Sequence, residues 1–202
     1  MPEQLWLPGL EAPPVPTDGL FFAVYPNAAT AAGIAKLAQQ LREQSRSRSK
    51  PLAANRLHVT LHHLGNFVGG LPGPKVDAAM SAAAAAAAAI APFSVEFDRV
   101  VSFASKPRPG PLVLCGGEGA AGLHVLHDIL GQALDQAGFE RHAARESVPY
   151  TPHVTLAYGM PWIDERTVEA FAWNVREVVL MHSLLGRSRH VALGRWPLAA
   201  SG

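Results

Sequence analysis

The alternation of apolar and polar positions divides the chain into short strands and amphipathic helices, interspersed along its length. Residues 20–26 form an apolar run that ends at a proline, which predicts a buried strand. Asn27 then occupies the N-cap position of a helix. That helix repeats Ile34, Leu37 and Leu41 at helical spacing, so one of its faces should pack on the core.

The same criteria assign the rest of the chain and give the order β-α-β-α-β-β-α-β-α-β-β. This order predicts an α+β fold of antiparallel sheets with helices packed on the outside. A proline-rich tail, residues 1–18, precedes a single domain, residues 19–202. The further predicted strands are 56–64, 93–103, 111–117, 153–159, 175–186 and 189–198, and the further predicted helices are 74–91, 123–138 and 164–172.

Composition and charge narrow the class of protein. Hydrophobic residues make up 49% of the 202 positions and charged residues 16%, which is typical of a globular chain with its own core. The formal net charge of +1 argues against an extended nucleic-acid-binding groove, because such proteins usually carry a strong basic excess. A compact site that holds one or two phosphates remains compatible with this charge.

The number of cysteines and the apolar segments indicate the cellular compartment. Cys115 is the single cysteine, so no disulfide can form within the chain, which fits a reducing compartment. The N-terminal segment lacks the basic start and apolar stretch of a signal peptide. The alanine-rich run at 81–91 is too short and too weakly apolar to span a bilayer. We therefore expect a cytoplasmic monomer without a membrane partner.

The most informative pattern is a near-repeat half a chain apart. Residues 57–61 read LHVTL and residues 152–156 read PHVTL, so His-Val-Thr-Leu occurs twice. Each copy lies in a predicted strand, where side chains two positions apart share a face. In each copy, therefore, the histidine and the threonine project to one side, while the valine and the leucine face the core.

Two such strands that face each other across a cleft would bring two imidazoles and two hydroxyls together. A neutral imidazole accepts a proton from water, and a protonated one gives a proton to a leaving oxygen, because histidine titrates near neutral pH. Threonine hydroxyls can donate hydrogen bonds to the non-bridging oxygens of a phosphate. The pattern therefore predicts phosphodiester chemistry that needs neither a metal nor a cofactor.

Five segments carry a family resemblance: FFAVYP, LHVTLHHLGNF, FSVEFDRVVSF, PHVTLAYG and SLLGRSRHVALGRWPL. They cover most of residues 20–198. The chain resembles the two-histidine (2H) phosphoesterase superfamily, in particular the RNA 2′,3′-cyclic phosphodiesterases that are also called 2′-5′ RNA ligases. This resemblance implies a two-lobed fold with pseudo-two-fold symmetry and an active-site cleft between the lobes.

The resemblance also implies a role for each motif residue. His58 would protonate the leaving 3′ oxygen and His153 would activate water, which gives a 2′-phosphate; exchanging the two roles would leave the site unchanged. Thr60 and Thr155 would bind the phosphate oxygens. The implied partners are RNA ends or small cyclic nucleotides in RNA processing, and 2′-5′ ligation is the reverse-type reaction of the same site.

The chain departs from the family pattern at one position that matters. Close relatives often carry a phosphate-holding arginine five residues after the second histidine, where this chain has Tyr158. Relatives often have a basic residue four after the first histidine, and here it is His62, which strict alternation places on the face of His58 and Thr60. Another cyclic phosphate, a 2′-5′ oligonucleotide or a non-catalytic RNA-end-binding module therefore stays open.

Three further residues could contact the substrate. Arg46 and Arg48 alternate with serines before the first motif, and they could contact RNA phosphates or belong to a solvated loop. Trp162, shortly after the second motif, could stack on a base or pack at the rim of the domain.

Two rival patterns are weaker. His58, His62 and His63 suggest a metal site, but residues four apart on a strand are separated by roughly 13 Å, and His62 and His63 should point to opposite faces. Residues 117–122 match GxGxxG, which occurs in dinucleotide-binding proteins when it lies within a βαβ unit. The sequence favours a plain glycine-rich connection there.

Overall fold

Strands and helices alternate along the chain much as the hydrophobic pattern predicts. A computed structural model describes residues 14–104, 110–139 and 149–199. The strands in these ranges are β1 (Asp18–Val24), β2 (Val59–Phe67), β3 (Phe93–Ser102), β4 (Leu112–Cys115), β5 (His153–Ala157), β6 (Arg166–Val175), β7 (Glu177–Leu184) and β8 (Arg189–Pro197), and the α-helices are α1 (Ala28–Gln44), α2 (Gly73–Ala88) and α3 (Ala121–Gln136).

All eight strands join one sheet in the order β6-β3-β4-β5-β2-β1-β7-β8, and every neighbouring pair is antiparallel. The central strands β2 and β5 are joined by a single residue pair within the described chain, Val59 with Val154. This narrow junction divides the sheet into a first half (β2, β1, β7, β8) and a second half (β5, β4, β3, β6). The predicted α+β class with antiparallel pairing is confirmed.

The two halves repeat one unit, a strand followed by a helix and by a motif strand. In the first half this unit is β1-α1-β2, and in the second it is β4-α3-β5. Each motif strand lies at the junction, with the strand that precedes its helix next to it. The repeat accounts for the pseudo-two-fold symmetry that the resemblance implied.

All three helices contribute to one core on the same face of the sheet. Helix α1 begins where predicted, since the Asn27 side chain accepts a hydrogen bond from the Thr30 backbone N–H at 3.0 Å, an N-cap that stabilises a helix by about 1 kcal/mol. The alanine run forms α2, whose small side chains allow close packing against α3. On the opposite face the buried apolar residues include a small cluster in the first half of the sheet, Phe21, Ala23, Val179 and Met181.

The predicted helix at 164–172 is wrong, because this segment is part of strand β6. Phe171, Trp173 and Val175 recur at every second position, and this period of two places them against β3. The Trp173 ring stacks on Phe97, with ring centroids 4.9 Å apart. Burial of these aromatic rings on the core outweighs the helical propensity of the segment.

The GxGxxG segment has a packing role that excludes the dinucleotide-binding interpretation. A Cβ added at Gly122 would lie 2.3 Å from the Phe93 ring, and one added at Gly119 would lie 2.8 Å from Glu96 Cβ. The glycines therefore let the start of α3 approach β3 closely. The strands on either side of α3 pair antiparallel, so the parallel βαβ unit that such a fingerprint needs is not formed.

The proline-rich segment 1–18 lies mostly outside the described residues, which begin at residue 14. Thr17 donates its backbone N–H to Phe67 O at 2.9 Å and accepts a hydrogen bond from Leu185 N at 2.9 Å. Asp18 is already the first residue of β1. The first strand therefore starts two residues before its predicted beginning at 20.

Candidate active site

The two His-x-Thr motifs lie side by side at the centre of the sheet. His58 immediately precedes β2, and His153 is the first residue of β5. Both histidines and both threonines, Thr60 and Thr155, are partly exposed on the face opposite the helices. We call this face the cleft face. The alternation predicted for both motifs is confirmed, since the intervening residues are all buried in the core: Val59, Leu61, Val154 and Leu156.

The pairing at the junction sets which groups are neighbours. Because Val59 lies opposite Val154 in antiparallel strands, the same register places His58 opposite Thr155 and Thr60 opposite His153. Each imidazole is therefore next to the threonine of the other motif. One phosphate could contact groups from both halves of the sheet.

Both imidazoles are held by the same type of hydrogen bond to the backbone. The Nδ1 atom of His58 lies 2.7 Å from the carbonyl oxygen of Arg56, and the Nδ1 atom of His153 lies 2.7 Å from that of Thr151. A carbonyl oxygen only accepts, so each Nδ1 carries the proton and donates it. This bond orients each ring and leaves Nε2 as the nitrogen that can exchange a proton with a substrate.

His58 lies in an aromatic and cationic environment. Its ring centroid is 5.3 Å from that of Phe21, 5.7 Å from that of Tyr25 and 5.7 Å from that of His190. The pKa of His58 is lowered to about 4, mainly by burial and also by electrostatic repulsion from His190, Arg56 and His153, while the hydrogen bond to the Arg56 carbonyl acts in the opposite direction. At neutral pH the free His58 is therefore a neutral imidazole.

His153 lies beside an open cavity. The edge of its ring meets Phe103, with centroids 4.9 Å apart, and burial lowers its pKa below the usual value. The cavity has a volume of about 280 Å³ and offers space next to both motifs. It is lined by Thr60, Leu61, Phe103, Pro149, Tyr150, Thr151 and His153.

Comparison with known protein families agrees with this geometry. The family model of the 2′-5′ RNA ligase superfamily matches residues 28–187, which is most of the chain and includes both motifs. The chain belongs to this superfamily. Curated protein sequences give no match.

Solved structures of the superfamily fold extend over nearly the whole chain. TT0787 of Thermus thermophilus superposes with a TM-score of 0.74 at 22% identity, covering 91% of this chain and 100% of that one. Escherichia coli LigT in complex with 3′-AMP gives 0.67 at 23% identity, covering 92% and 99%. Kluyveromyces marxianus Usb1 gives 0.53 at 10% identity, covering 91% and 99%. At these identities the likeness establishes the LigT-like fold.

A β-bulge follows the threonine of each superfamily motif, at Leu61 in the first and at Leu156 in the second. In the first half Thr60 pairs with Ala23, but Phe22 pairs with His62, so Leu61 is the extra residue. The register of β5 shifts in the same way, at Leu156. A bulge reverses which side chains face each side of the sheet beyond it. Strict alternation therefore fails after both threonines.

The predicted position of His62 on the face of His58 and Thr60 is wrong for this reason. His62 lies on the helix side, 9% exposed, and its Nε2 lies 2.8 Å from the carbonyl oxygen of His127 in α3. Its ring stacks on His127 at 4.0 Å, and His127 in turn stacks on Tyr150 at 4.1 Å. The Tyr150 hydroxyl donates to Thr60 O at 3.2 Å, so this ring stack is connected to the backbone of the first motif.

His63 and Tyr158 occupy the cleft face instead. His63 pairs with Phe21, which belongs to the cluster on that face. Tyr158 follows the second bulge at the equivalent position, five residues after its histidine, and is 63% exposed. The position at which the family resemblance led us to expect an arginine is therefore exposed, and here it carries a phenol.

The basic stretch before the first motif lies along the end of β5. The Ser49 hydroxyl donates to Gly159 O at 2.5 Å, and Leu52 N donates to Leu156 O at 2.8 Å. Arg46 and Arg48, which precede these contacts, are exposed. This path brings the stretch beside the second motif, next to Tyr158.

Trp162 is half exposed, and its indole N–H donates to Asp164 Oδ1 at 2.8 Å. No ring contact joins it to a site residue in the described part of the chain. It therefore lies at the rim, with no contact to the two histidines.

Sequence reasoning missed two residues of the site, Arg56 and His190. Arg56 stands two positions before His58 in a 3₁₀ turn, where strand alternation does not hold, so only its closeness to the motif in sequence could have marked it. His190 comes from β8, and its ring lies against His58 and Phe21 only because β8 follows β7 back to the centre of the sheet. No local signal marks His190.

Among residues 14–104, 110–139 and 149–199, no group of three or more His, Cys, Asp or Glu side chains is arranged to hold a metal ion. No helix in these ranges is both long and apolar enough to cross a membrane.

Proposed function

We propose that the chain hydrolyses the 2′,3′-cyclic phosphate at an RNA end and leaves a 2′-phosphate. The observation that carries this proposal is the pair of imidazoles, each with Nδ1 fixed by a carbonyl two residues earlier and each beside the threonine of the other motif. Such a pair supplies one proton acceptor and one proton donor at the same phosphate.

The reaction follows from these roles. Nε2 of His153 removes a proton from water, and the water oxygen forms a bond to phosphorus. The bond between phosphorus and the 3′ oxygen breaks, and Nε2 of His58 gives that oxygen its proton. The product carries a phosphate on the 2′ oxygen, and the two histidines exchange protonation states before the next cycle.

Thr60 and Thr155 act on the charge that develops at phosphorus. Their hydroxyls lie on the cleft face, each opposite the histidine of the other motif. Donated to the non-bridging oxygens, their hydrogen bonds would strengthen as negative charge accumulates in the transition state.

The free site has both histidine pKa values lowered, that of His58 to about 4. For His58 to act as the acid, the bound phosphate must raise its pKa, and a nearby negative charge has this effect. Substrate binding thus favours the protonated form of His58, which the acid role requires. Without substrate, His58 is deprotonated at neutral pH.

The relatives support a nucleotide ligand, since one of the superposed LigT structures holds 3′-AMP. The reverse-type reaction, attack of a 2′ hydroxyl on a cyclic phosphate, would form a 2′-5′ linkage and use the same two proton transfers. Tyr158, in place of a cation, favours a second candidate: the same chemistry on another cyclic phosphate or on a 2′-5′ oligonucleotide.

The test is hydrolysis of the four nucleoside 2′,3′-cyclic phosphates, a short RNA that ends in one, and a 2′-5′ dinucleotide, with EDTA present. Wild type is compared with His153→Ala and with His124→Ala, a matched control at an exposed histidine of α3. We expect a 2′-phosphate product that is lost in His153→Ala and retained in His124→Ala. Turnover of the 2′-5′ dinucleotide alone would establish the second candidate, and no turnover of any substrate would refute both.

A further inference from the structure

Arg56 lies directly before the first motif, as the last residue of a short 3₁₀ turn, Ala54–Arg56. Its carbonyl oxygen lies 2.7 Å from Nδ1 of His58. Leu57, between the two, has extended backbone angles (φ −73°, ψ 123°) and is 1% exposed in the core. Arg56 is therefore held next to His58 at the start of the first motif.

The guanidinium of Arg56 has no anionic partner in the described residues. Its Nε atom is buried and makes no hydrogen bond there, and no ion pair to a described carboxylate forms. A buried donor without a partner is unfavourable, and a bound acceptor would remove that cost. The ring of His190 lies against that of His58, with centroids 5.7 Å apart. Its ring nitrogens likewise lack a hydrogen bond to a described residue. Both neighbours of His58 therefore have donors without an acceptor among the described residues.

The surroundings of this pair are cationic. Arg56 lowers the pKa of both His58 and His190, and no carboxylate of the described residues acts on either histidine to oppose it. The same charge has no such effect on His153. Arg56 thus lies closer to His58 and His190 than to His153.

We propose that Arg56 and His190 form a second anion-binding subsite, which holds the phosphate on the 5′ side of the nucleotide whose cyclic phosphate reacts. The inference rests on the proposed function for the place of the reacting phosphate, between His58 and His153. A group beyond His58 then meets the next anion along the substrate. In an RNA end that anion is the internucleotide phosphate, and in a mononucleotide it is a 5′-phosphate.

This subsite gives the enzyme a preference for RNA ends and 5′-phosphorylated nucleotides over nucleosides that carry only the cyclic phosphate. Two groups of residues then have different roles. The threonines and histidines hold the reacting phosphate, and the arginine distinguishes a substrate with a phosphate on its 5′ side from one without it. An arginine donates up to five hydrogen bonds in a fixed planar geometry, which suits a phosphate diester.

The first experiment measures binding alone, by isothermal titration calorimetry with adenosine 2′-monophosphate and adenosine 2′,5′-bisphosphate. We expect the wild type to bind the bisphosphate about tenfold more tightly, the effect of one additional hydrogen bond to a charged group. In Arg56→Gln this ratio should fall to about 1, and in Arg56→Lys it should be intermediate. Arg176→Gln, which removes an exposed arginine between β6 and β7, should keep the wild-type ratio.

Two results would overturn the proposal. Equal affinity of the wild type for the two ligands would show that no second subsite exists. Equal weakening of both ligands in Arg56→Gln would place the arginine at the reacting phosphate. His190→Phe keeps the ring contacts and removes the nitrogens, so an unchanged ratio in that variant would exclude His190. Thermal melts of each variant show whether a lost ratio reflects a lost fold.

Turnover distinguishes this inference from the proposed function. If adenosine 2′,3′-cyclic phosphate and its 5′-phosphorylated form are both hydrolysed, the ratio of their kcat/KM values should follow the ratio of the affinities across the variants. If neither is hydrolysed but the affinity ratio still depends on Arg56, the subsite stands and the hydrolase assignment fails. If both are hydrolysed at one rate in the wild type, the hydrolase stands and the subsite fails.

Discussion

His58 and His153 are held by the same backbone bond and lie in different surroundings. Each donates Nδ1–H to a carbonyl two residues earlier at 2.7 Å. His58 is enclosed by aromatic rings and by the charges of Arg56 and His190, while His153 borders an open cavity and has Phe103 at its edge. The backbone therefore sets which nitrogen reacts, and the side chains around it set how readily that nitrogen holds a proton.

The largest expected effect comes from removing either imidazole. His58→Ala and His153→Ala should each lower kcat/KM for a nucleoside 2′,3′-cyclic phosphate by about 10²–10⁴, the usual contribution of a positioned acid or base. The double variant should be little worse than the more damaging single one, since the two groups act as a unit. Steady-state rates of the three variants measure this, and fully multiplicative losses would show that the halves act independently.

The next largest effect on the rate is expected from removing the hydroxyl of Thr60 or Thr155. Thr60→Val and Thr155→Val keep the shape of each side chain and remove its donor, so kcat should fall by about 10²–10³ in each, as for other donors to developing negative charge. Serine at either position keeps the hydroxyl and should restore most of the rate. A loss at only one threonine would mean that the phosphate is held from one half of the sheet.

The pKa values of His58 and His153 compare the surroundings of the two motifs directly. In the free protein NMR should find His58 titrating at about 4 and the pKa of His153 below its usual value, in both cases mainly because of burial. Adenosine 2′-monophosphate should raise the pKa of His58, and Arg56→Gln should raise it without ligand, because each change makes the local potential less positive. A ligand that raises only the pKa of His153 would reverse the acid and base roles.

The same shift predicts a loss of stability in acid. Unfolded His58 binds a proton as the pH falls through 6.5, whereas the folded residue resists protonation until about 4. The unfolded chain therefore binds more protons across this window, and the contribution of His58 to stability declines from pH 6.5 to 4. Urea unfolding of wild type and His58→Phe at both pH values checks this, because the variant should lose less.

The smallest expected effects are changes in the free energy of unfolding, which should differ between His62 and His63. His62→Ala removes a ring stack and a buried hydrogen bond, so the free energy of unfolding should fall by about 1–3 kcal/mol. His63→Ala alters an exposed side chain on the cleft face and should change stability by less than about 0.5 kcal/mol. Urea denaturation measures both, and equal losses would contradict the opposite faces that the bulge at Leu61 creates.

Local periodicity was sufficient for most of the fold and for the centre of the site. His58, Thr60, His153 and Thr155 precede both bulges, so strict alternation places them correctly. Strict alternation misplaces His62, which lies one residue after a bulge. No residue type marks where a β-bulge occurs in a strand.

Other features depend on distant parts of the chain. The segment 164–172 becomes a strand because β3 offers Phe97 and a free edge to its alternating aromatic residues. His190 joins the site through the pairing of β8 with β7 and of β7 with β1. Interactions of such long sequence separation leave no pattern within a window of ten residues.

The order of the strands has a consequence for a chain that is still being synthesised. All four strands of the second half come from residues 93–175, whereas the first half is built from 18–67 and 177–197. The outer edge of β1 thus stays unpaired until the final hairpin leaves the ribosome, and an open apolar edge invites pairing with other chains. The pocket around His58 is therefore the last part of the molecule to be completed, and a nascent chain that stops after β6 carries His58 without the β8 residue, His190, that packs against its ring.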